Sequence, residues 1–188
     1  MAVEVELKAW VDDPERIRDR LLTVGTPHRR YLKEDEYFGY GETPERARYR
    51  LRRDGDAWIC TFKEKRIHDG IEENRETEFT VSDGDAFRHM LESLGLRRIV
   101  RKRKEGESFW ADGVLAELSH VEHVGWFVEL EIVLGDDADR ETISASRDRL
   151  HDLLRRLSVP LSAVESRSYN SMIYEATAES GTVSRSSV

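Results

Sequence analysis

Residues 3–8 alternate without a break: Val3, Val5 and Leu7 are apolar, and Glu4, Glu6 and Lys8 between them are charged. Successive side chains of a strand point to opposite sides of a sheet, so this stretch reads as a strand with one oily and one ionic face. Along the ionic row the charges recur about every 6.6 Å, two residues at roughly 3.3 Å each. Any sheet with a solvated side could hold one such strand. The constraint tightens because later segments carry the same pattern.

Arg48, Arg50 and Arg52 share a face opposite Tyr49 and Leu51. Thr61 and Lys63 share one opposite Trp58, Cys60 and Phe62. Asn74, Glu76 and Glu78 oppose Phe79 and Val81, Arg101 and Arg103 share a face, and Glu129 and Glu131 oppose Val128, Leu130 and Ile132. The rows also sort by sign. Glu4, Glu6, Glu129 and Glu131 form acidic rows; Arg50, Arg52, Lys63, Arg101 and Arg103 form basic ones. A water-facing sheet usually mixes signs, because like charges on adjacent positions repel. An acidic cluster calls for a cation, and hard divalent ions take carboxylate oxygens with substrate phosphates completing the shell. A basic cluster calls for a polyanion, which guanidinium forks suit. Together the rows describe a metal–polyphosphate site, lining the lumen of a sheet whose apolar faces turn outward under helices.

Turn and cap residues divide the chain. Asp13-Pro14 reads as a helix start and Gly25 as its stop, with Ile17, Leu21 and Leu22 as the apolar stripe. Asp54-Gly55, Glu105-Gly106 and Asp112-Gly113 read as hairpin turns, and residues 66–72 as a loop. Further helices are expected over about 84–94, 139–157 and 167–176. Eight or nine strands joined mostly by hairpins, with few helices, imply an α+β fold: a closed antiparallel barrel with helices packed outside. Residues 1–176 are expected to form a single domain. The polar segment 177–188 has no apolar face and is expected to be disordered.

Composition excludes some functions. The net charge of −8 argues against a general nucleic-acid-binding face. No apolar run approaches a membrane span, and the start of the chain lacks a signal-peptide pattern, so a cytoplasmic location is expected. The single Cys60 can form no internal disulfide. His120 and His123 lack the spacing of zinc hydrolase motifs, and no glycine-rich phosphate loop is present, so side chains must grip any phosphate. The cations are 24 Arg and only 6 Lys against 38 acids, a balance resembling proteins of high-salt cytoplasm. At about 1 M salt the Debye length is only ~3 Å, so an anion site working there needs enclosed contacts. Stability is expected to rise with KCl in denaturation experiments; full stability without salt would count against the halophilic reading.

Ordered motifs then carry a family resemblance. Glu4-x-Glu6-x-Lys8 resembles the signature of the CYTH domain, the triphosphate tunnel metalloenzymes. Asp35-Glu36-Tyr37-Phe38, Tyr49-Arg50-Leu51-Arg52, Thr61-Phe62-Lys63, Glu76-Thr77-Glu78, Arg101-Lys102-Arg103, Val124 to Glu131, and Ser168-Tyr169 resemble it in order. The pattern is most similar to the branch named for class IV adenylyl cyclases (CyaB-like). The resemblance implies an eight-stranded tunnel that binds triphosphates with Mg²⁺ or Mn²⁺. It further implies cyclisation of ATP to cyclic AMP and pyrophosphate, or hydrolysis of thiamine triphosphate or inorganic triphosphate; a non-catalytic nucleotide or polyphosphate binder is a third reading. The partner would be a small-molecule triphosphate, with neither nucleic acid nor membrane involved; oligomeric state is left open, a homodimer among the options.

On this basis Glu4, Glu6, Glu129 and Glu131 are the expected metal carboxylates. Arg50, Arg52, Lys63, Arg101 and Arg103 are the expected phosphate ligands, and Lys8 the catalytic lysine. Asp35, Arg48, Glu76 and Glu78 are supporting lumen residues. Two positions depart from the family pattern: Ser119 stands where Asp is frequent, and Asn74 where Arg is frequent.

Overall fold

The computed structural model describes residues 2–68, 71–135 and 137–183, with side chains at 2, 63–68, 71–76 and 179–183 outside the description. The strands are β1 (Ala2–Trp10), β2 (Thr26–Gly39), β3 (Ala47–Asp54), β4 (Ala57–His68), β5 (Ile71–Val81), β6 (Arg97–Ala111), β7 (Val114–Val121) and β8 (Gly125–Gly135). The helices are α1 (Pro14–Val24), α2 (Gly84–Ser93), α3 (Arg140–Arg156) and α4 (Tyr169–Val183). α4 continues past residue 176, into the segment expected to be disordered. Among the described residues no helix is long and apolar enough to cross a membrane.

All eight strands join one antiparallel sheet in the order β1-β8-β7-β6-β2-β3-β4-β5. The closed barrel expected from the sequence is not what the ladders form. The sheet curls, and β1 and β5 approach each other, but among the described residues no ladder joins these two edges. Alternation fixes which side chains face inward; it does not determine whether a final ladder forms.

Local chemistry explains the punctuation. Asp13 caps α1 by accepting from the Arg16 amide at 3.0 Å, and Pro14 opens the helix. Asp83 and Asp139 cap α2 and α3 in the same way. Gly25 ends α1 in extended backbone, so left-handed freedom is not its purpose; a Cβ there would lie 2.7 Å from the Trp110 carbonyl oxygen. Asp112 and Gly113 both take positive φ, 50° and 74°, as a two-residue hairpin turn requires. Glu105-Gly106, by contrast, is no turn: β6 runs straight through it. Gly106 lies opposite Ser119, where a Cβ would sit 2.3 Å from the Leu118 carbonyl oxygen.

The apolar faces turn outward, as the alternation requires. Val5, Ala9, Phe109, Ala116, Leu118, Val128, Leu130 and Ile132 pack with Ile17 and Leu21 of α1 and Leu150, Leu153, Leu154 and Leu157 around α3. A second outer cluster joins Phe38 and Leu51 to Leu91 of α2 and to Leu96. A third lies at one end of the concave face, where Met172 and Ile173 of α4 pack on Tyr37, Val100, Val121 and Phe127, with Trp10 and Tyr169 beside them. α4 thus forms an apolar floor to the concave side. Gly106→Ala should lower unfolding free energy by about 1–3 kcal/mol, the range for overpacking, because the atoms it meets are backbone; urea denaturation measures it.

Candidate active site on the concave face

Strand register assembles the charges. Glu6 stands opposite Glu131 and Lys8 opposite Glu129 across β1 and β8, and Glu129 stands opposite Glu117 of β7. Asp35 of β2 lies between Arg52 of β3 and Lys102 of β6, and Lys33 lies opposite Lys104.

The fully buried Asp35 carboxylate accepts from Arg52 twice, from Nε at 2.7 Å and Nη2 at 2.9 Å, and ion-pairs with Lys102 Nζ at 2.9 Å. The Tyr37 hydroxyl donates to Asp35 at 3.3 Å and accepts from Lys102 at 3.1 Å. Glu117 accepts from Lys33 at 2.8 Å and from Lys104 at 2.6 Å. Lys104 also ion-pairs with Glu129, to which Ser119 Oγ donates at 3.4 Å. Gly106 and Ser119, both small, leave room for the Lys104 chain to reach these acids. Arg50 donates to Thr61 Oγ1 at 2.9 Å and to Glu78 at 3.5 Å, and Thr61 donates to Glu78 at 3.1 Å. The Tyr169 ring of α4 gathers three ammoniums, with Lys8, Lys102 and Lys104 at 5.3, 5.4 and 5.9 Å from its centre.

Pairing decides the protonation states. Burial alone would raise the Asp35 carboxyl, but Lys102 and Arg52 hold it well below its ordinary value. Burial disfavours the Lys104 charge, yet Glu129 and Glu117 lift it well above the usual lysine value. Glu117 is held low against burial by Lys104 and Lys33. Glu131 moves the other way: burial, then the neighbouring Glu4 and Glu6 carboxylates, push it up to about 7. Acidic groups therefore crowd one margin of the face, while the cations occupy the middle.

Several expected residues stand where the sequence placed them: Glu4, Glu6, Lys8, Asp35, Arg50, Arg52, Glu78, Glu129 and Glu131 share the concave face. Arg101 and Arg103 do not. They point outward, Arg101 with a 71 % exposed side chain 3.7 Å from Glu36, and Arg103 beside Glu105 at 3.4 Å. Lys102 and Lys104 take the concave positions instead. Arg48 is exposed. Lys63 and Glu76 pair in register across β4 and β5, and their side chains, like that of Asn74, lie outside the described residues.

Sequence reasoning also missed Lys33 and Glu117. One signal could have found the lysines: of the six in this arginine-rich chain, Lys8, Lys33, Lys102 and Lys104 all meet on the concave face.

The acidic margin fits a hard cation by donor chemistry. Glu4, Glu6 and Glu131 offer only oxygen, and the Glu131 carboxyl is raised first by burial and then by the Glu4 and Glu6 charges, a repulsion that a divalent ion would relieve. As they stand, no three acidic or imidazole side chains among the described residues gather closely enough to hold an ion. Glu129 is engaged by Lys104.

The CYTH domain model matches residues 2–169. The chain belongs to the CYTH domain family. Members of this family are adenylyl cyclases or triphosphatases, generally dependent on divalent metal. This CYTH domain is 25 % identical over 173 residues to a candidate adenylate cyclase of Methanocaldococcus jannaschii, covering 89 % of this chain and 96 % of the relative. It is 26 % identical over 174 residues to the adenylate cyclase CyaB of Aeromonas hydrophila, covering 90 % and 87 %. Among solved structures, a conserved hypothetical protein of Pyrococcus furiosus superposes with a TM-score of 0.76 at 26 % identity, covering 90 % and 99 %. A candidate adenylyl cyclase of Hippeastrum, described as revealing a dominant triphosphatase activity, shares the fold with a TM-score of 0.63 at 15 % identity, covering 94 % and 96 %.

The Asp35 network yields a prediction with a definite sign. A carboxyl depressed by folding contributes stability that is present above its unfolded value, about 3.9, and is lost as pH falls through the folded value. Asp35→Asn should remove that acid-side dependence. It should also cost about 3–5 kcal/mol at neutral pH, because Lys102 stays buried without its counter-charge. Urea melts from pH 7 to 3 check both.

Proposed function

We propose that this CYTH domain is a divalent-metal-dependent enzyme acting on the triphosphate of a small molecule, in the manner of a class IV adenylyl cyclase. One observation carries the reading. A single concave face sets a cationic group, Lys33, Arg50, Arg52, Lys102 and Lys104, against the acidic margin of Glu4, Glu6, Glu129 and Glu131.

Glu4, Glu6, Glu129 and Glu131 would hold Mg²⁺ or Mn²⁺, which supplies charge neutralisation on phosphate oxygens when bound. The chain's own cations do the rest. Lys33, Lys102 and Lys104 are charged groups already desolvated and held by carboxylates. A polyphosphate exchanges for those carboxylates with little reorganisation. The Arg52 fork suits two phosphate oxygens at once. Lys8, opposite Glu129, is the catalytic lysine of this proposal: its ammonium stabilises charge building on the phosphoryl group. The α4 floor keeps water from that end. In cyclisation the ribose 3′-oxygen bonds to the α-phosphorus, the bond to the bridging oxygen breaks, pyrophosphate departs with the electron pair, and the hydroxyl proton is released.

Hydrolysis of a triphosphate is the second reading. It is favoured by the paired cations at the centre of the face, which read charge and specify no base. Incubation with ATP, thiamine triphosphate or tripolyphosphate in Mg²⁺ or Mn²⁺ separates the two: cyclic AMP with pyrophosphate supports the first, free phosphate the second. Glu129→Gln combined with Glu131→Gln should lower metal-dependent turnover by at least about 100-fold; unchanged rates would overturn the site assignment. Titration calorimetry should show tripolyphosphate binding that Lys102→Ala weakens.

A further inference from the structure

β6 carries Trp110 on the concave face, beyond the charges. Paired residues of antiparallel strands lie on the same side of a sheet, and register links Trp110 to Leu115, Leu115 to Glu131 and Glu131 to Glu6. These four residues form one transverse row, with Trp110 about 10 Å from Glu131 at two interstrand steps. The adjoining row, about 7 Å along the strands, contains Glu117, where the heads of Lys33 and Lys104 converge.

Two features set Trp110 apart. Its side chain is 47 % exposed although its neighbours Phe109 and Ala111 are buried in the outer core, so the indole is presented by a rigid backbone paired on both sides. Among the described residues its ring has one aromatic neighbour, His28, edge-on with centres 6.1 Å apart. The opposite end of the face is closed by α4 on Trp10, Val100, Val121 and Phe127. A triphosphate that reaches Lys102 and Lys104 therefore cannot extend its organic end toward α4. The open end offers it room, and there Trp110, the half-buried Leu115 and the exposed Val133 present apolar surface.

We infer that Trp110 stacks the organic ring of the substrate and is a specificity-determining residue of this site. The inference rests on the triphosphate reading above and adds to it a residue that reads the organic end of the substrate. Stacking on an indole tolerates any flat base, so the subsite selects an aromatic ring without selecting adenine.

Calorimetry on the intact chain tests it with ATP, thiamine triphosphate and tripolyphosphate as probes, on wild type, Trp110→Phe and Trp110→Ala, each verified folded by circular dichroism. Trp110→Ala should weaken binding of at least one aromatic ester about 5- to 100-fold, the loss of one stacked base. Tripolyphosphate binding should be unchanged, and Trp110→Phe should keep most of the affinity. If the ratio of ester to tripolyphosphate affinity is the same in wild type and Trp110→Ala for both esters, the subsite is overturned while the triphosphate reading stands. If wild type binds no tripolyphosphate, the underlying reading fails.

Discussion

Lys102 and Lys104 enter the interior of the curled sheet as cations, and the arrangement of the other charges follows from that. Taking an ammonium out of water costs several kcal/mol unless an acid meets it with good geometry. Asp35 meets Lys102, and Glu117 and Glu129 meet Lys104. Each acid is in turn held by a second donor: Arg52 on Asp35, Lys33 on Glu117, Ser119 on Glu129. The concave face is thus a web of shared ion pairs whose cations a polyanion can claim.

The rest of the architecture protects that web. α1 and α3 cover one stretch of the convex face and α2 another, so apolar burial on the outside offsets the cost of charge inside. α4 crosses to the concave side and seals one end with Met172, Ile173 and Tyr169. Tyr169 also turns its ring toward three lysines, joining the apolar floor to the charged layer. Close approach at Gly106 lets β6 and β7 pack where Lys104 must reach across. The outcome is directional: closed at α4, open at Trp110, with charge between.

Much of this was legible in the chain wherever polar and apolar residues alternate. Glu4, Glu6, Lys8, Arg50, Arg52, Glu129 and Glu131 were placed on the correct face because their neighbours are apolar and must turn outward. Asp112-Gly113 was legible because few residues other than glycine, Asn and Asp accept positive φ. Reasoning failed where both parities carry charge. In Arg101-Lys102-Arg103-Lys104 every residue is cationic, so alternation cannot choose a face, and Ile99-Val100 before it is apolar at both positions. Gly106 was misread because glycine serves close approach as well as turns, and only the position of Leu118 across the ladder distinguishes them.

By itself, then, the sequence determined that strands with one ionic face would form an antiparallel sheet, and that acidic and basic rows would share that face. Period-two alternation and the cost of exposing Val5, Leu130 and their like dictate this locally. Only the tertiary structure decided that Lys102 and Lys104 face inward, that Lys33 and Glu117 join them, that α4 closes one end, and that among the described residues no ladder joins β1 to β5. Each of these depends on register and on packing between strands far apart in the chain, where the energy of a buried charge is set by a partner that no local pattern names.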